Sequence, residues 1–422
     1  MKSITFTLSL LSAIAISCNG QPSKKEKEAA VAQGATTVKT AIGDLTLPPP
    51  YQTESVTNNS RIEGWQGNET PKAPAGFTVT KFAGDLENPR NTYIGPNGDI
   101  FVVESGTRMS KNRITMFQDK DKDGKFETRN VLISGLSQPY GMLILKNKFY
   151  IANTEGVYTY PYTDGQTKLE GKGTKIVDLP AGGYNNHWTR NLIANADNSK
   201  IYVSVGSGSN VGENGMENEV RRAAILEINP DGSGEKIYAS GLRNPVGMDW
   251  NPNTKELWTA VNERDGLGDE LVPDYITSVK QGGFYGWPYS YFGQIEDPRM
   301  KGQKPELVKK ALVPDVPVNS HTASLGLAFY TGDKFPAKYK NGAFVGQHGS
   351  WNRSKLSGYK VLFVPFTNGK PGQPEDFLTG FVRQEDKSRV YGRPVDVTVM
   401  NDGSLLVNDD SGNTLWQISA SK

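Results

Sequence analysis

"NTYIGPNGDIFVVES", residues 91–105, is the stretch that decides the fold. It reads as an alternating strand, a Pro96-Asn97-Gly98 turn and a second strand, and the same unit returns five more times. The copies are "YGMLILKNKFYIANT" at 140–154, "RNLIANADNSKIYVSVGSG" at 190–208, "VGMDWNPNTKELWTAVNE" at 246–263, "LGLAFYTGDKFPAKYKNGAFVGQHG" at 325–349 and "VDVTVMNDGSLLVNDD" at 395–410. The first three start about fifty residues apart, the length of a four-stranded blade. Wider later spacings imply inserted loops, and the loop at 294–320 is expected to rim a pocket. Six such units arranged radially make an all-β, six-bladed β-propeller of four-stranded antiparallel blades. A β-sandwich is the alternative, but a sandwich has no reason to repeat one motif six times. The last unit shows only three strands, ending in "TLWQIS", so "FTVTKFAG" at 77–84 is expected to close the ring as its outer strand.

In an antiparallel pair the start of the first strand and the end of the second share one edge. That edge gathers Arg90, Gln138, Asn186, His187, Arg243, Asn244, His321 and Arg393 from the strand starts. From the second-strand ends it gathers Glu104, Asn153, Ser207, Asn262, Glu263, Gln347, His348 and Asp409. All three histidines of the chain are among them, whereas the opposite edge carries turn residues such as Asn401-Asp402-Gly403. The first edge is the candidate active site.

Lys plus Arg number 47 against 45 acidic residues, and a net charge of +2 argues against nucleic acid as a partner. Residues 1–17 read as a secretory signal, followed by Cys18 where a lipoprotein signal peptidase would cut and lipidate. An ordinary signal peptide with an incidental cysteine, or a short membrane anchor, is the alternative. The expectation is a bacterial envelope lipoprotein, periplasmic or anchored at the outer membrane, that touches the membrane only through its lipid. Residues 18–45 are polar and lack periodicity, so they read as a disordered tether. An extension at 46–74 then packs on a propeller domain spanning 75–422. One cysteine permits no disulfide within the chain and excludes Cys-based zinc and c-type haem sites.

Five stretches carry a family likeness: "NNHWTRNL" at 185–192, "SGLRNPVGMDW" at 240–250, "GGFYGWPYSYFG" at 282–293, "HTASLGLAFY" at 321–330 and "FVGQHGSWNRS" at 344–354. In this order they resemble the soluble sugar dehydrogenases that depend on pyrroloquinoline quinone (PQQ), closest to the sorbosone and pyranose dehydrogenase-like branch. The resemblance runs from about residue 75 to 420 and implies a six-bladed propeller holding PQQ and calcium, oxidising a sugar or polyol hydroxyl. No haem motif accompanies it, so the electrons must leave to a separate acceptor.

PQQ is a planar ortho-quinone with three carboxylates, so its pocket needs cationic forks, a divalent cation and a base for the substrate hydroxyl. His187 matches the family's catalytic base, and an imidazole can accept a proton at neutral pH. Arg243, Asn244 and Arg393 match cofactor-facing positions, where a guanidinium suits a carboxylate. Gln138 matches a residue that bonds substrate or quinone oxygen. His348 and Arg353 stand where the family has a lysine, and His321, Trp188 and Gln347 are expected to line the substrate. The resemblance places calcium on the backbone carbonyls of Gly266 and Leu267, with Asp269 and Glu270 nearby. Asp119, Asp121 and Asp123 open like a second calcium loop, but position 12 is Asn130, so it is not an EF-hand. Asn186 and Ser207 replace acids of the glucose-oxidising branch, which leaves the substrate open.

Two other functions fit the same face. A calcium-dependent lactonase or esterase would draw on Glu104, Asn153, Asn262 and Asp409. A non-catalytic propeller would bind glycans or proteins through Trp188, Trp287, Tyr289, Tyr291 and Trp351.

Overall fold

The computed structural model describes residues 22–106 and 110–421, so Cys18 and the 1–17 signal lie outside the described residues. Among the described residues there are six four-stranded antiparallel sheets. Their first strands are Pro89–Ile94, Met142–Leu145, Leu192–Ala194, Pro245–Trp250, Ser324–Phe329 and Pro394–Val399, here numbered sheets 1 to 6 in that order. The repeated units of the sequence form the first two strands of each.

Apolar residues of neighbouring sheets interlock in separate layers. Phe101 and Val103 of sheet 1 meet Met142 and Ile151 of sheet 2, and the pattern continues around to sheet 6. There Leu406 and Leu415 pack on Ile100 and Val102 of sheet 1. The sheets are thus joined in a circle by side-chain packing. Tyr140, Val246, Leu325 and Val395, one each from the first-strand regions of four sheets, fill the middle. The glycine of the recurring "VG" and "LG" starts is what lets first strands come so close. A Cβ on Gly247 would stand 2.4 Å from Leu325 O and from Leu327 N.

Phe77–Ala83 pairs antiparallel with Thr414–Ala420, from Leu415 opposite Ala83 to Ala420 opposite Phe77. The expected chain-end strand is therefore in place as the fourth strand of sheet 6. The strand register shifts near the start of the first strand in sheets 1, 4, 5 and 6. Such bulges bend a strand end and re-aim its side chains.

From residue 22 on, where the described residues begin, the N-terminal stretch corrects the expectation of a disordered tether over 18–45. Helix Lys24–Val31 starts with a Ser23/Glu26 capping box, and Thr36–Thr40 pairs with Gly43–Leu47 in a hairpin. Leu47 is buried in the layer between sheets 3 and 4, where Val38 and Leu45 join it. That apolar side is the physical reason the segment is ordered. The 294–320 loop is also partly regular: it contains a short helix, Pro305–Val308, and ends in Val316–Ser320, the outer strand of sheet 4.

Candidate active site

His187 lies in the loop before the first strand of sheet 3, and its backbone is pinned by Arg190 Nη1, which donates to His187 O at 2.8 Å. Its Nδ1 stands 2.9 Å from Ser207 O and 3.0 Å from Ser207 Oγ. A carbonyl oxygen only accepts, and Ser207 Oγ donates its own proton to Ser209 O at 2.6 Å. Nδ1 therefore carries the hydrogen and Nε2 the lone pair, with the Asn186 amide 3.3 Å away. Burial first, and then the charge of Arg243, hold the ring well below the usual imidazole value. At neutral pH it is an uncharged base. Gly206 makes the arrangement possible, since a Cβ there would come within 2.5 Å of His187 Cβ and 2.3 Å of Asn244 Oδ1.

Arg243 was expected to fork a cofactor carboxylate, and the structure gives it another task. Its side chain is 0% exposed. It donates to Asn210 O, Asn210 Oδ1, Asn262 O, Asn262 Oδ1, Glu263 O and Asp265 Oδ2. With Nε, Nη1 and Nη2 all committed to protein acceptors, it supports the floor of the site.

His321, expected to line the substrate, is likewise buried. Its Nδ1 faces Asp265 Oδ1 at 3.1 Å and its Nε2 faces Gly268 O at 2.9 Å. Both acceptors call for a donor, so the ring is an imidazolium. Burial pulls its pKa down, but the Asp265 carboxylate outweighs burial and raises it. Arg243, Asp265 and His321 form one buried charge network that fixes the 265–268 turn.

A second network lies on the ends of sheets 1, 5 and 6. Asp410 accepts from Arg90 Nη1 at 2.6 Å and from His348 Nε2 at 2.9 Å. The Arg90 guanidinium lies 5.1 Å from the Trp188 ring centre, a cation–π contact beside His187. Burial and Arg393 push His348 down to about 4, so it is neutral at pH 7. Arg393 donates through Nε to His348 O and through Nη2 to Gly349 O, at 2.9 and 2.7 Å. Among the described residues its Nη1 meets no acceptor. Gln138 takes the left-handed backbone region at φ 48°, and its amide meets no partner among the described residues. A non-glycine residue held there is strained, as residues at functional sites often are.

The remaining expected residues sort as follows. Gln347 is buried, with Nε2 on Thr322 and Ser324 hydroxyls. Arg353, expected at the cofactor, pairs with Glu270 and donates to Asp269 O at 3.0 Å. The Asp269 carboxylate is taken by the Ser354 backbone N–H and hydroxyl, and Leu267 O accepts from Tyr51 N at 2.7 Å. The side chains of Asp269 and Glu270 are thus turned to the 353–354 loop, whereas no backbone N–H among the described residues donates to Gly266 O. Asp119, Asp121 and Asp123 do come together, joined by Glu127, with one carboxylate oxygen of each within 4.8 Å of the others. Glu127 was missed because the EF-hand spacing looks to position 12. Of the lactonase set, Glu104 is already bound by Arg113, Thr115 and Glu87 N, and Asp409 by Trp65, Arg393 N and Gly412 N. Trp287, Tyr289 and Tyr291 are buried rather than presented to a ligand.

Among the described residues, several buried polar atoms on this face have no partner: Arg90 Nε, Tyr140 Oη, Asn153 Oδ1, Asn244 Oδ1 and Gln347 Oε1. Native interiors rarely leave such groups unmet. Together with Arg393 Nη1, the Gln138 amide and the basic His187 Nε2, they form a face suited to a planar polyanion that also carries hydrogen-bonding edges.

The chain is a ring of six four-stranded sheets with one polar face that carries Arg90, Arg393 and a neutral His187, and comparison with known proteins gives it a family. The TrAA12-like family model matches residues 71–281 and 298–421, and the chain belongs to that family. An uncharacterized protein of Borreliella burgdorferi is 32% identical over 364 residues, covering 83% of this chain and 90% of that one. The PQQ-dependent pyranose dehydrogenase of Coprinopsis cinerea is 23% identical over 81% of this chain and 54% of its own. The aldose sugar dehydrogenase YliI of Escherichia coli is 33% identical over 46% of each chain. The chain thus spans about half the length of these two named dehydrogenases. Among solved structures, the PQQ domain of the Coprinopsis enzyme in its holo form superposes with a TM-score of 0.68 at 19% identity, covering 85% of this chain and 98% of that one. The calcium structure of the Trichoderma reesei family AA12 enzyme gives 0.70 at 19%, covering 86% and 100%. These likenesses establish the shared fold.

Proposed function

We propose that this chain is a PQQ- and calcium-dependent dehydrogenase of a sugar or related polyol, built as a six-bladed propeller. The observation that carries the reading is the state of His187: neutral, with its Nε2 lone pair directed by the Ser207 carbonyl on Nδ1. A neutral base at this position takes the hydroxyl proton of the substrate as its C–H hydrogen leaves as hydride. The imidazolium so formed keeps its Nδ1–H on Ser207 O, which stabilises the charge where it develops. Arg393, Arg90, Gln138 and Asn244 are the groups that would hold PQQ, with Gly266 O toward calcium. When bound, PQQ supplies the hydride-accepting quinone and calcium polarises its reactive carbonyl. Asn186, where the glucose-oxidising branch has an acid, leaves His187 without a carboxylate neighbour at Nε2. Anchoring through Cys18 in the bacterial envelope, with electrons passed to a separate acceptor, completes the proposal.

The test is reconstitution of the purified protein with PQQ and calcium, followed by dye reduction across aldoses, uronates and polyols. Calcium- and PQQ-dependent turnover of at least one of them is expected. No dye reduction across the panel, with PQQ shown to be bound, would overturn the reading.

A further inference from the structure

We propose, resting on the dehydrogenase reading, that Glu219 is a positioning residue of the reaction, whose carboxylate acts on the base His187 through the peptide unit joining Ser207 to Gly208. Both ends of this link lie in the loop between the second and third strands of sheet 3, Ile201–Val205 and Ala224–Ile228. The Ser207 carbonyl and the Gly208 N–H belong to one planar amide. His187 Nδ1 stands on its oxygen at 2.9 Å, and its N–H donates to Glu219 Oε2 at 2.7 Å. An amide shares electrons between nitrogen and oxygen, so an anion accepting at the N–H pushes density onto the carbonyl oxygen. Hydrogen bonds in such a chain strengthen one another. The arrangement is a histidine and an acid with one amide set between them.

The rest of the turn is held to the same end. Glu219 Oε1 accepts from Ser209 Oγ, which itself accepts from Gly212 N at 3.0 Å. Ser209 O accepts from Ser207 Oγ at 2.6 Å. The peptide units on either side of the linking amide are also tied, Ser207 N to Arg243 O at 2.8 Å and Gly208 O to Asn186 N at 2.9 Å. The amide is thus fixed with its oxygen toward His187 and its N–H toward Glu219.

Glu219 is only 6% exposed, and among the described residues its carboxylate forms no ion pair. A carboxylate buried on neutral donors lacks the compensation that a paired charge has. Arg222 lies near, yet its Nη1 donates to Asn185 Oδ1 at 2.8 Å. Gly208 keeps the space open, since a Cβ there would lie 3.3 Å from Glu219 Oε1 and 3.4 Å from Arg222 Nε. With Asn186 and Ser207 where the glucose-oxidising branch has acids, no carboxylate touches the His187 ring among the described residues. Asp265 favours its charged form through space, while Arg243 and Arg190 oppose it. Glu219 is the acid that reaches the ring through hydrogen bonds. When Nε2 takes the substrate proton, the positive charge that develops strengthens the Nδ1–H bond to Ser207 O, and the carboxylate beyond the amide favours it. No proton moves along the link.

Glu219→Gln tests this, because it keeps the size of the side chain and an oxygen for Gly208 N and removes the charge. The first readout is nitrogen-15 NMR of the histidines in the cofactor-free protein, with the His187 signal identified by its loss in His187→Ala. Wild type is expected to show the Nδ1–H form with its proton far downfield. Glu219→Gln is expected to move that proton upfield. Glu219→Asp, which keeps the charge but shortens its reach, is expected to move it part of the way. Ser209→Ala leaves the carboxylate on Gly208 N and is expected to leave the proton near its wild-type position. In the loaded enzyme, Glu219→Gln is expected to lower kcat about 10-fold, the gap between a charged and a neutral acceptor. The substrate KM, the PQQ affinity and the denaturation midpoint are expected to stay near wild type. An Nδ1 proton unmoved in the Glu219 variants, or moved equally by Ser209→Ala, would overturn the role of the charge. So would a loss of stability that runs parallel in Glu219→Gln and Ser209→Ala and accounts for the lost turnover. The expected NMR displacement without dye reduction by wild type would sink the dehydrogenase reading and leave the link between Glu219 and His187 standing.

Discussion

At the scale of single residues, the chemistry follows from which donors are already engaged. His187 has one nitrogen tied to Ser207 O at 2.9 Å and the other facing the Asn186 amide at 3.3 Å, the longer of the two contacts. His187→Ala is expected to leave PQQ bound and to lower turnover by about 10²-fold or more, the scale for loss of a positioned general base. Dye-coupled rates at saturating PQQ and calcium check it. His321→Ala is expected to act differently, by releasing Asp265 and the 265–268 turn and lowering stability. The two arginines that looked equivalent in sequence also separate. Arg243→Ala removes one of the two cationic partners of Asp265 and the donors to Asn210, Asn262 and Glu263, and breaking a buried pair costs up to about 3–5 kcal/mol. Chemical denaturation is expected to show that loss. Arg393→Ala is expected to leave stability closer to wild type and to weaken PQQ by roughly 1.5–3 kcal/mol, the worth of a charge-assisted hydrogen bond, measured by fluorescence titration. Equal effects of the two substitutions on PQQ affinity would contradict the separation.

At the scale of elements, the N-terminal extension stitches the loops of the site face. Thr53 Oγ1 accepts from Asp269 N, and Asn352 accepts from Gly266 N while donating to Ser55 Oγ and Val56 O. Arg61–Ile62 then pairs with Arg389–Val390. Trp65 ends the strap: it stacks on Tyr391 at 4.6 Å, packs edge-on against Phe381 and Trp416, and donates to Asp409 Oδ2 at 2.6 Å. Trp65 is only partly buried, so Trp65→Ala is expected to cost less than the about 3–5 kcal/mol of a fully buried aromatic, with the loss read from denaturant midpoints. Much of this level was legible in the sequence. The repeated strand–turn–strand unit placed the first two strands of every sheet, and the missing fourth strand of the last unit pointed to 77–84. The hairpin at 36–47 was not read, although Val38 on one arm and Leu45 and Leu47 on the other hinted at alternation. The stretch is short and polar elsewhere, and its order comes from docking on sheets 3 and 4, which no local pattern announces. The roles of Arg243 and His321 were hidden for the same reason. Their partners Asn210, Asp265 and Gly268 come from loops whose meeting is a property of the ring.

At the scale of the whole molecule, the circle must close without hydrogen-bonded strands between sheets, and buried carboxylates bridge the gaps. Asp249 of sheet 4 accepts from Phe329 N of sheet 5 at 2.7 Å. Asp396 of sheet 6 accepts from Thr92 N of sheet 1 at 3.2 Å, beside Thr398 Oγ1, which donates to Thr92 O at 3.1 Å. The last sheet is thereby tied to the first. Burial pushes Asp396 up to about 7 and Asp249 up to about 6. A carboxyl whose folded pKa lies above its unfolded value binds more protons folded than unfolded. Stability therefore falls as pH rises from the unfolded value, about 4, through the folded one, about 7 for Asp396. Below that window the neutral acid carries no such penalty. Asp396→Asn keeps an oxygen to accept from Thr92 N and removes the ionisation. Thermal unfolding followed from pH 4 to pH 8 is expected to show wild type losing stability on the alkaline side of this window more steeply than the variant. The variant's advantage is expected to be largest near pH 8 and absent near pH 4. Parallel pH profiles for the two proteins would mean that Asp396 is not the group whose charge strains the closure of the ring.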